Sequence, residues 1–316
     1  MPIAMIVHGG AWTIPADQVD AHAEGCLLAV ERGFAVLRAG GVALDAVEAA
    51  IRVMEDDPIF DAGRGSCLTM EGEVELDAGL MDGSTLDVGA VACVKRITEP
   101  IHLARLVLQS PNTLLVGEGA ERFAQAQGMT PCDPETLIVE RERALWQEFV
   151  CQKGAKRAAG GRHDTVGAIA LDAQGSIVAG LSTGGTPNKI PGRVGDVPQA
   201  GCGFYADSRI GGVACTGVGE YIVRMALACR TIHMLEAGLE PQAAAERAVR
   251  LMAERLNGRA GLIVLDRFGR VGCDYNTRRM ARAYIVEGMD APYVAVGRRV
   301  WKKGVVGRDR KRGAAS

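Results

Sequence analysis

The sequence predicts an α+β fold in which helices pack outside a pair of largely antiparallel sheets. Two similar hairpins carry this prediction, since residues 168–181 and 262–273 each contain two apolar strands joined by an Asp-x-x-Gly turn. Between the hairpins, residues 220–256 place apolar side chains at helical spacing. Strands, then helices, then strands is the order expected when helices cover the outside of packed sheets.

The first half of the chain predicts strands and helices in turn. The apolar run at 3–7 predicts a buried strand that stops at His8, and helical spacing at 17–37 predicts a helix ended by two glycines. Pro58 stops a second helix and begins a glycine-punctuated loop. Further strands are predicted at 74–81, 86–95 and 114–116, and further helices at 43–55, 101–109, 118–127 and 143–151.

The second half predicts strands at 168–171, 177–181, 262–265 and 270–273, and helices at 220–237 and 241–256. Polar, glycine-rich composition predicts a mobile linker at 152–164, and the tail at 304–316 is predicted to be disordered. Residues 298–312 hold eight basic residues and one acid, which raises a nucleic-acid contact as one interpretation. The slightly acidic chain and the lack of an aromatic stacking platform favour a solvated tail and no nucleic-acid partner.

The composition argues against several other classes of protein. The chain has 316 residues, 48% hydrophobic and 23% charged, with a net charge of -2, which is typical of a globular protein. Nine cysteines include no C-x-x-C pair, so we expect reduced thiols in a cytoplasmic protein, with neither a zinc site nor a disulfide framework. No apolar run reaches membrane-spanning length, and the first residues lack a cationic lead, so we expect neither a membrane segment nor a secretory signal.

Thr165 is the first candidate for chemistry. It follows Asp164 at the point where a polar segment gives way to the apolar run that begins at Val166. A threonine hydroxyl becomes a good nucleophile only beside a base, and a cut before Thr165 would supply one as its own α-amino group. The reference pKa of such an amine is near 8, so it titrates close to neutral pH. On the local pattern alone, a threonine at the start of a strand is the simpler interpretation.

Three motifs downstream of Thr165 favour the catalytic interpretation. The first contains Thr183 in Ser-Thr-Gly-Gly. The second carries Arg193 and Asp196, which offer a fork for a carboxylate and an anion for an ammonium group, as recognition of a free amino acid requires. The third begins with Thr216 and Gly217 at a predicted helix start, where a hydroxyl and a backbone N–H could face developing negative charge.

The order of these motifs resembles the plant-type asparaginase and isoaspartyl peptidase family, which are N-terminal nucleophile hydrolases and include the glycosylasparaginases. The similarity rests on D-T-V-G, S-T-G-G, N-K-x-P-G-R-x-G-D and T-G-x-G-E after residue 163. The first half adds I-V-H-G-G-A, A-L-D-A-V-E-A-A, D-P-I-F-D-A-G and E-L-D-A before M-D-G. The resemblance covers the chain from about residue 3 to about residue 285.

The resemblance implies a four-layer αββα sandwich of the N-terminal nucleophile hydrolase type. It implies one folded domain made as a precursor and cut by the chain itself between Asp164 and Thr165, which leaves an α part at 1–164 and a β part at 165–316. Thr165 is then the nucleophile and, through its new amine, the base, while Thr183 hydrogen-bonds to it and tunes it.

The resemblance also implies how substrate is held. Arg193 and Asp196, with Gly219 beside them, bind the α-carboxylate and α-amino groups of a small-molecule substrate, and Thr216 with Gly217 forms the oxyanion hole. The implied activity is hydrolysis of L-asparagine and β-aspartyl dipeptides through a threonyl ester, in a dimer of αβ heterodimers. No cofactor is required, and a structural sodium ion would bind in a loop that contains Pro58, Phe60, Asp61, Gly63 and Gly65.

The chain departs from the usual family pattern at a few positions. Asp61 stands where asparagine is usual, Val218 where many members have a polar residue, and Trp12 where glycine is common. Asp164 before the threonine is more similar to the glycosylasparaginases and threonine aspartases than to typical asparaginases, which have glycine there. Hydrolysis of glycosylasparagine and a non-catalytic small-molecule-binding relative therefore remain as alternatives. A nucleotide-binding module is disfavoured because 117–119 lacks a third glycine and no P-loop is present.

Overall fold

The computed structural model describes residues 1–152, 164–298 and 300–301. The predicted linker at 152–164 lies, apart from its two end residues, outside the described residues, and the tail at 304–316 lies wholly outside them. No helix in the described segments is long and apolar enough to cross a membrane.

The described chain contains both helices and strands, in agreement with the predicted α+β class. The strands are β1 Ala4–Trp12, β2 Leu76–Asp82, β3 Asp87–Val94, β4 Leu114–Val116, β5 Val166–Leu171, β6 Ile177–Thr183, β7 Phe204–Asp207, β8 Gly211–Gly217, β9 Ala260–Asp266, β10 Val271–Tyr275, β11 Arg279–Val286 and β12 Tyr293–Ala295. The helices are α1 Val19–Arg38, α2 Ala43–Asp56, α3 Pro100–Leu108, α4 Gly117–Ala126, α5 Glu140–Cys151, α6 Gly219–Met225, α7 Leu227–Glu236 and α8 Pro241–Leu256. Short 3-10 turns span Ala16–Gln18 and Pro134–Leu137.

The strands form two sheets within the described residues. The larger has the order β12-β11-β1-β5-β6-β2-β3-β4, and the smaller has the order β10-β9-β8-β7. Neighbouring strands are antiparallel, except that β3 and β4 are parallel. Both predicted hairpins are confirmed, since β5 pairs with β6 and β9 pairs with β10.

The alternation of side chains along β1 explains how the two sheets pack. Met5 and Val7 belong to a core cluster shared with α1, α2 and α3, whereas Ala4 and Ile6 belong to a cluster shared with the smaller sheet. Successive residues of a strand face opposite sides, so β1 contributes to both cores. A third cluster joins the outer face of β8 and β9 to α6, α7 and α8.

Several sequence predictions need correction. The helix predicted at 220–237 is two helices, because Ala226 has left-handed backbone angles (φ 46°, ψ 54°) that end α6 and precede α7. Strand β1 does not stop at His8 but continues to Trp12, since β11 pairs with it on both sides of an irregularity between His8 and Ala11. Strands β7, β8, β11 and β12 are absent from the prediction. Their glycines, charged residues or short length hide the alternating pattern that marks a strand.

Candidate active site

Thr165 and Thr183 lie side by side at the start of β5 and the end of β6. The pairing of Val166 with Ser182 sets this register. The Thr165 hydroxyl donates to Oγ1 of Thr183 at 3.3 Å, and Thr183 in turn accepts from the backbone N–H of Gly185 at 3.0 Å. Both threonines are buried, with 6% and 3% of their surface exposed. The structure thus brings together the predicted nucleophile and the predicted tuning hydroxyl.

The peptide group before Thr165 is also buried and held. The Thr183 hydroxyl donates to the carbonyl oxygen of Asp164 at 3.5 Å. The Asp164 side chain reaches His22 of α1, with 3.4 Å between Oδ2 and Nε2. A Cβ atom on Gly10 would overlap Oδ1 of Asp164, and Gly10 has φ +88°, so only glycine suits this position. The motif I-V-H-G-G-A includes Gly10, whereas no sequence motif indicates His22.

Asp61 fixes the loop that follows Thr183. Its backbone carbonyl accepts from Gly184 N at 2.9 Å, and its Oδ1 accepts from Cys67 N at 2.8 Å. A Cβ atom on Gly184 would overlap Asp61 Oδ1, which shows how closely the loop approaches this carboxylate. Asp61 therefore supports Gly184, the residue next to Thr183.

Arg193, Asp196 and Gly219 meet at one point. A Cβ atom on Gly219 would lie 2.9 Å from both Nη2 of Arg193 and Oδ1 of Asp196, so the missing side chain makes room between the two charges. Arg193 is held on its other side by Glu220, whose Oε1 accepts from Nε at 3.0 Å. The predicted pair for a zwitterion is thus assembled.

Asp196 is the more deeply buried member of this pair. Burial raises its pKa from 3.8 to about 7, against the opposing effect of its own backbone N–H and of the Arg193 guanidinium. Its Oδ2 is buried without a hydrogen-bond partner. An ammonium group brought to Asp196 would supply the missing donor and favour the ionised carboxylate.

Thr216 and Gly217 lie at the end of β8 rather than at a helix start, because α6 begins at Gly219. The Thr216 hydroxyl oxygen accepts from Ala11 N at 3.2 Å, which ties β8 to β1 and leaves its own hydrogen to donate. Gly217 has φ +135°, and a Cβ atom there would lie 2.6 Å from the carbonyl of Arg259. The local geometry therefore requires glycine beside Thr216.

A family model described as "Asparaginase" matches residues 1–294. The chain belongs to the asparaginase family. An isoaspartyl peptidase/L-asparaginase from Danio rerio is 41% identical over 293 residues, which covers 90% of this chain and 92% of the relative. The protein of the same name from Homo sapiens is 43% identical over 270 residues, covering 85% and 88%. A plant-type L-asparaginase from Pyrococcus abyssi is 42% identical over 310 residues, covering 93% and 100%.

Two charged residues of this asparaginase-family site lie within the motifs, but the sequence does not predict a role for them. Asp77 of β2 pairs directly with Thr183 in the strand register, and burial raises its pKa against the opposing charge of Lys189. Lys189 is fully buried, and its Nζ donates to the carbonyl of Glu75 at 2.8 Å. A lysine in a glycine-rich loop is normally solvated, so the sequence pattern does not indicate its burial.

His8 is a third residue whose role the sequence did not predict. Its ring lies against β5, because a Cβ atom on Gly167 would overlap Nε2. Burial lowers the His8 pKa to about 4, while the backbone of Thr165 and the charge of Asp164 act in the opposite direction. A neutral imidazole therefore lines the backbone that carries the candidate nucleophile.

The loop after α2 fits a sodium ion only in part. Nη2 of Arg141 donates to the carbonyl oxygens of Pro58 at 2.8 Å and Gly65 at 3.5 Å. A guanidinium at these two oxygens repels a second cation, so Pro58 and Gly65 do not fit as ligands. The carbonyl of Asp61 already accepts one hydrogen bond, from Gly184 N, so Phe60 and Gly63 are the stronger candidates in the predicted set. Among the described residues, no group of three or more acidic, histidine or cysteine side chains could hold a metal ion.

Proposed function

We propose that this chain is an amidohydrolase that cleaves L-asparagine and β-aspartyl dipeptides to release L-aspartate. We further propose that its two sheets and covering helices form the four-layer αββα sandwich of the N-terminal nucleophile hydrolases, cut into parts 1–164 and 165–316. The observation that carries the proposal is the buried contact between the hydroxyls of Thr165 and Thr183, beside the scissile carbonyl. The names of the relatives support the choice of substrate.

Self-cleavage would use the atoms already in contact. Oγ1 of Thr165 attacks the carbonyl carbon of Asp164, and the C–N bond breaks as the hydroxyl proton passes to the departing nitrogen. The Thr183 hydroxyl, which donates to the Asp164 carbonyl oxygen, stabilises the negative charge on that oxygen. Water then hydrolyses the resulting ester and leaves Thr165 with a free α-amino group.

Substrate hydrolysis would then follow from the new amine. The amine takes the hydroxyl proton of Thr165, and Oγ1 attacks the side-chain amide of a substrate whose α-carboxylate and α-ammonium groups lie on Arg193 and Asp196. Thr216 and the N–H of Gly217 receive the oxyanion. The leaving amine departs with a proton, and water hydrolyses the threonyl ester to release aspartate.

A denaturing gel with N-terminal sequencing tests the cleavage. We expect two bands from the wild type, the smaller beginning at Thr165, and a single 33.3 kDa band from Thr165→Ala. A new N-terminus at any other residue would contradict cleavage between Asp164 and Thr165. A non-catalytic relative would remain one chain and release no aspartate.

A substrate panel tests the specificity. We expect aspartate release from L-asparagine and β-Asp-Leu but not from α-Asp-Leu, because its α-carboxyl is tied up in the peptide bond and leaves Arg193 facing a neutral amide. Turnover of a glycosylasparagine alone would favour the alternative activity, which Asp164 supports because it precedes the threonine as in the glycosylasparaginases. Turnover of α-Asp-Leu would contradict the proposal that Arg193 binds a free α-carboxylate.

We also propose a structural sodium ion in the loop after α2, with the carbonyls of Phe60 and Gly63 as the stronger candidates from the predicted set. The melting temperature should rise when choline chloride is replaced by sodium chloride at equal ionic strength, since an ion that binds only the folded state stabilises it. Equal melting temperatures would count against the ion.

We propose, finally, that the enzyme is cytoplasmic and works as a dimer of αβ heterodimers. The cysteines are free thiols, which supports a reducing compartment. Light scattering of the purified enzyme should give twice the 33.3 kDa mass of one chain. A mass equal to that of one chain would contradict the proposed dimer.

A further inference from the structure

His22 makes a hydrogen-bond contact through each of its two ring nitrogens. It lies in the first turn of α1, is fully buried, and packs between Trp12 and Phe60 with ring-centroid distances of 6.1 and 5.5 Å. Nδ1 lies 2.8 Å from the carbonyl oxygen of Gln18, and Nε2 lies 3.4 Å from Oδ2 of Asp164. A carbonyl oxygen can only accept a hydrogen bond, so Nδ1 must carry a hydrogen.

This assignment leaves one proton to be shared between His22 and Asp164. A neutral imidazole protonated at Nδ1 has only a lone pair at Nε2, which cannot bond to a carboxylate oxygen. The contact therefore requires either a second proton on His22 or a proton on Asp164. A second proton on His22 gives a charge-assisted hydrogen bond, and a proton on Asp164 gives a neutral one. In both cases the bond joins two fully buried side chains.

The side chain and the carbonyl group of Asp164 are thereby held by different residues. His22 contacts its side chain, Gly10 lies directly against Oδ1, and Thr183 contacts its carbonyl oxygen. With its side chain and its carbonyl both held, rotation about the bonds of Asp164 is restricted. A fixed carbonyl group keeps its carbon atom in position for attack by Thr165 Oγ1. Position matters because small displacements of reacting atoms lower the rate by large factors.

We propose that His22 is a positioning residue for cleavage of the Asp164–Thr165 bond, which it serves by anchoring the Asp164 side chain. This role rests on the proposed self-cleavage and extends it to a residue on α1 that lies 142 positions earlier in the chain. His22 does not touch the reacting atoms and acts through Asp164.

A matched pair of substitutions separates the hydrogen bond from simple packing. Glutamine and methionine have side chains of the same length, but only glutamine can donate to Asp164. We expect His22→Met to slow appearance of the cleaved bands at least tenfold and His22→Gln to restore the rate to within about threefold of the wild type. Thermal unfolding of both variants in a Thr165→Ala background checks that each folds.

The Asp164→Gly background shows whether His22 acts through Asp164. Without the carboxylate, His22→Met should change the cleavage rate less than twofold. Equal tenfold slowing in both backgrounds, or wild-type rates for His22→Met, would overturn the positioning role while leaving the proposed function intact. A wild-type chain that stays a single band would overturn self-cleavage and the role of His22 together.

Discussion

Arg193 and Glu220 form an ion pair in which Nε and Nη2 of the arginine both lie 3.0 Å from one carboxylate oxygen. Glu220 is 57% exposed in its side chain, whereas Arg193 is only 15% exposed. The pair therefore adds little to stability, but it sets the direction of the planar guanidinium. Glu220 contacts the edge of the guanidinium that carries Nε and Nη2. The remaining nitrogen, Nη1, lies toward Gly195, which precedes Asp196.

Arg193→Lys tests whether this geometry, and not charge alone, binds the substrate. Lysine keeps the charge but cannot contact Glu220 and a carboxylate with a planar fork. We expect kcat/KM on L-asparagine to fall at least tenfold, about 1.4 kcal/mol of transition-state stabilisation, with self-cleavage unchanged. Arg209→Lys, at an arginine with 81% of its side chain exposed, should leave the kinetics unchanged. Wild-type kinetics for Arg193→Lys would refute the assignment.

Asp196→Asn should change stability and activity in opposite directions. Burial raises the folded pKa of Asp196 to about 7, above its ordinary 3.8, so its contribution to stability is fully present below pH 3.8 and is lost as pH rises through 7. At pH 8 the buried carboxylate destabilises the fold, by at most about 4 kcal/mol at about 1.4 kcal/mol per pKa unit. We expect Asp196→Asn to melt higher than the wild type at pH 8, with the difference shrinking toward pH 4.

The same substitution removes the anion proposed to pair with the substrate ammonium group, so kcat/KM should fall at least tenfold. Calorimetry and the aspartate assay on one preparation measure both effects. A variant that is both less active and less stable at pH 8 would show that Asp196 is structural.

Glu55→Gln should flatten the pH dependence of stability. Glu55 is fully buried on α2, and burial raises its pKa well above 4.5 despite contacts with Ser182 and the N–H of Ile101. Its stabilising contribution is complete below pH 4.5 and is lost as pH rises toward the folded pKa. Glutamine is neutral and keeps an acceptor for Ile101, so we expect similar melting at pH 5 and higher melting than the wild type at pH 9.

Glu48→Gln is the control on the same helix. Glu48 contacts Arg105 and His102, so the loss of its charge should lower the melting temperature at pH 7. Identical pH profiles for Glu55→Gln and the wild type would show that Glu55 is ionised in the folded protein.

Asp61→Asn should fold and cleave like the wild type, because asparagine keeps an oxygen that accepts from Cys67 N. Asp61→Leu has similar size but no acceptor, and the unpaired N–H should cost about 1–3 kcal/mol. We expect only the leucine variant to slow self-cleavage, since Gly184 and Thr183 depend on this loop. Unfolding in urea and the band intensities on a gel measure the two effects. Equal behaviour of both variants would assign the role to the Asp61 backbone.

Sequence reasoning found the residues whose chemistry is carried by short motifs. Thr165, Thr183, Arg193 and Asp196 were predicted together, and the structure brings Thr165 against Thr183 and Arg193 toward Asp196 around Gly219. Asp77 was not assigned, because its place opposite Thr183 depends on the pairing of β2 with β6. These two strands, Leu76–Asp82 and Ile177–Thr183, lie far apart in the sequence, so no local pattern gives their register.

The remaining errors in the fold also have local causes. Ala226 breaks a helix without a glycine or proline, so no breaker signal marks it. Strand β8 contains glycines at both ends, which is a loop signal by composition. Its glycines nevertheless allow close packing against Leu265 of the neighbouring β9 and against Ile169 of β5 in the other sheet. Tertiary packing, which a local pattern does not contain, decided both cases.

The strand order of the large sheet would hold the two pieces of a cut chain together. Strand β1 lies between β11 and β5, and β2 lies beside β6, so residues before and after Thr165 share three ladders of hydrogen bonds. The two pieces could separate only by unfolding, and unfolding would then yield two molecules whose return depends on protein concentration. In the proposed precursor, the sheet assembles while its strands are still tethered to each other. Maturation would therefore be a one-way step, after which a molecule that melts in dilute solution does not re-form.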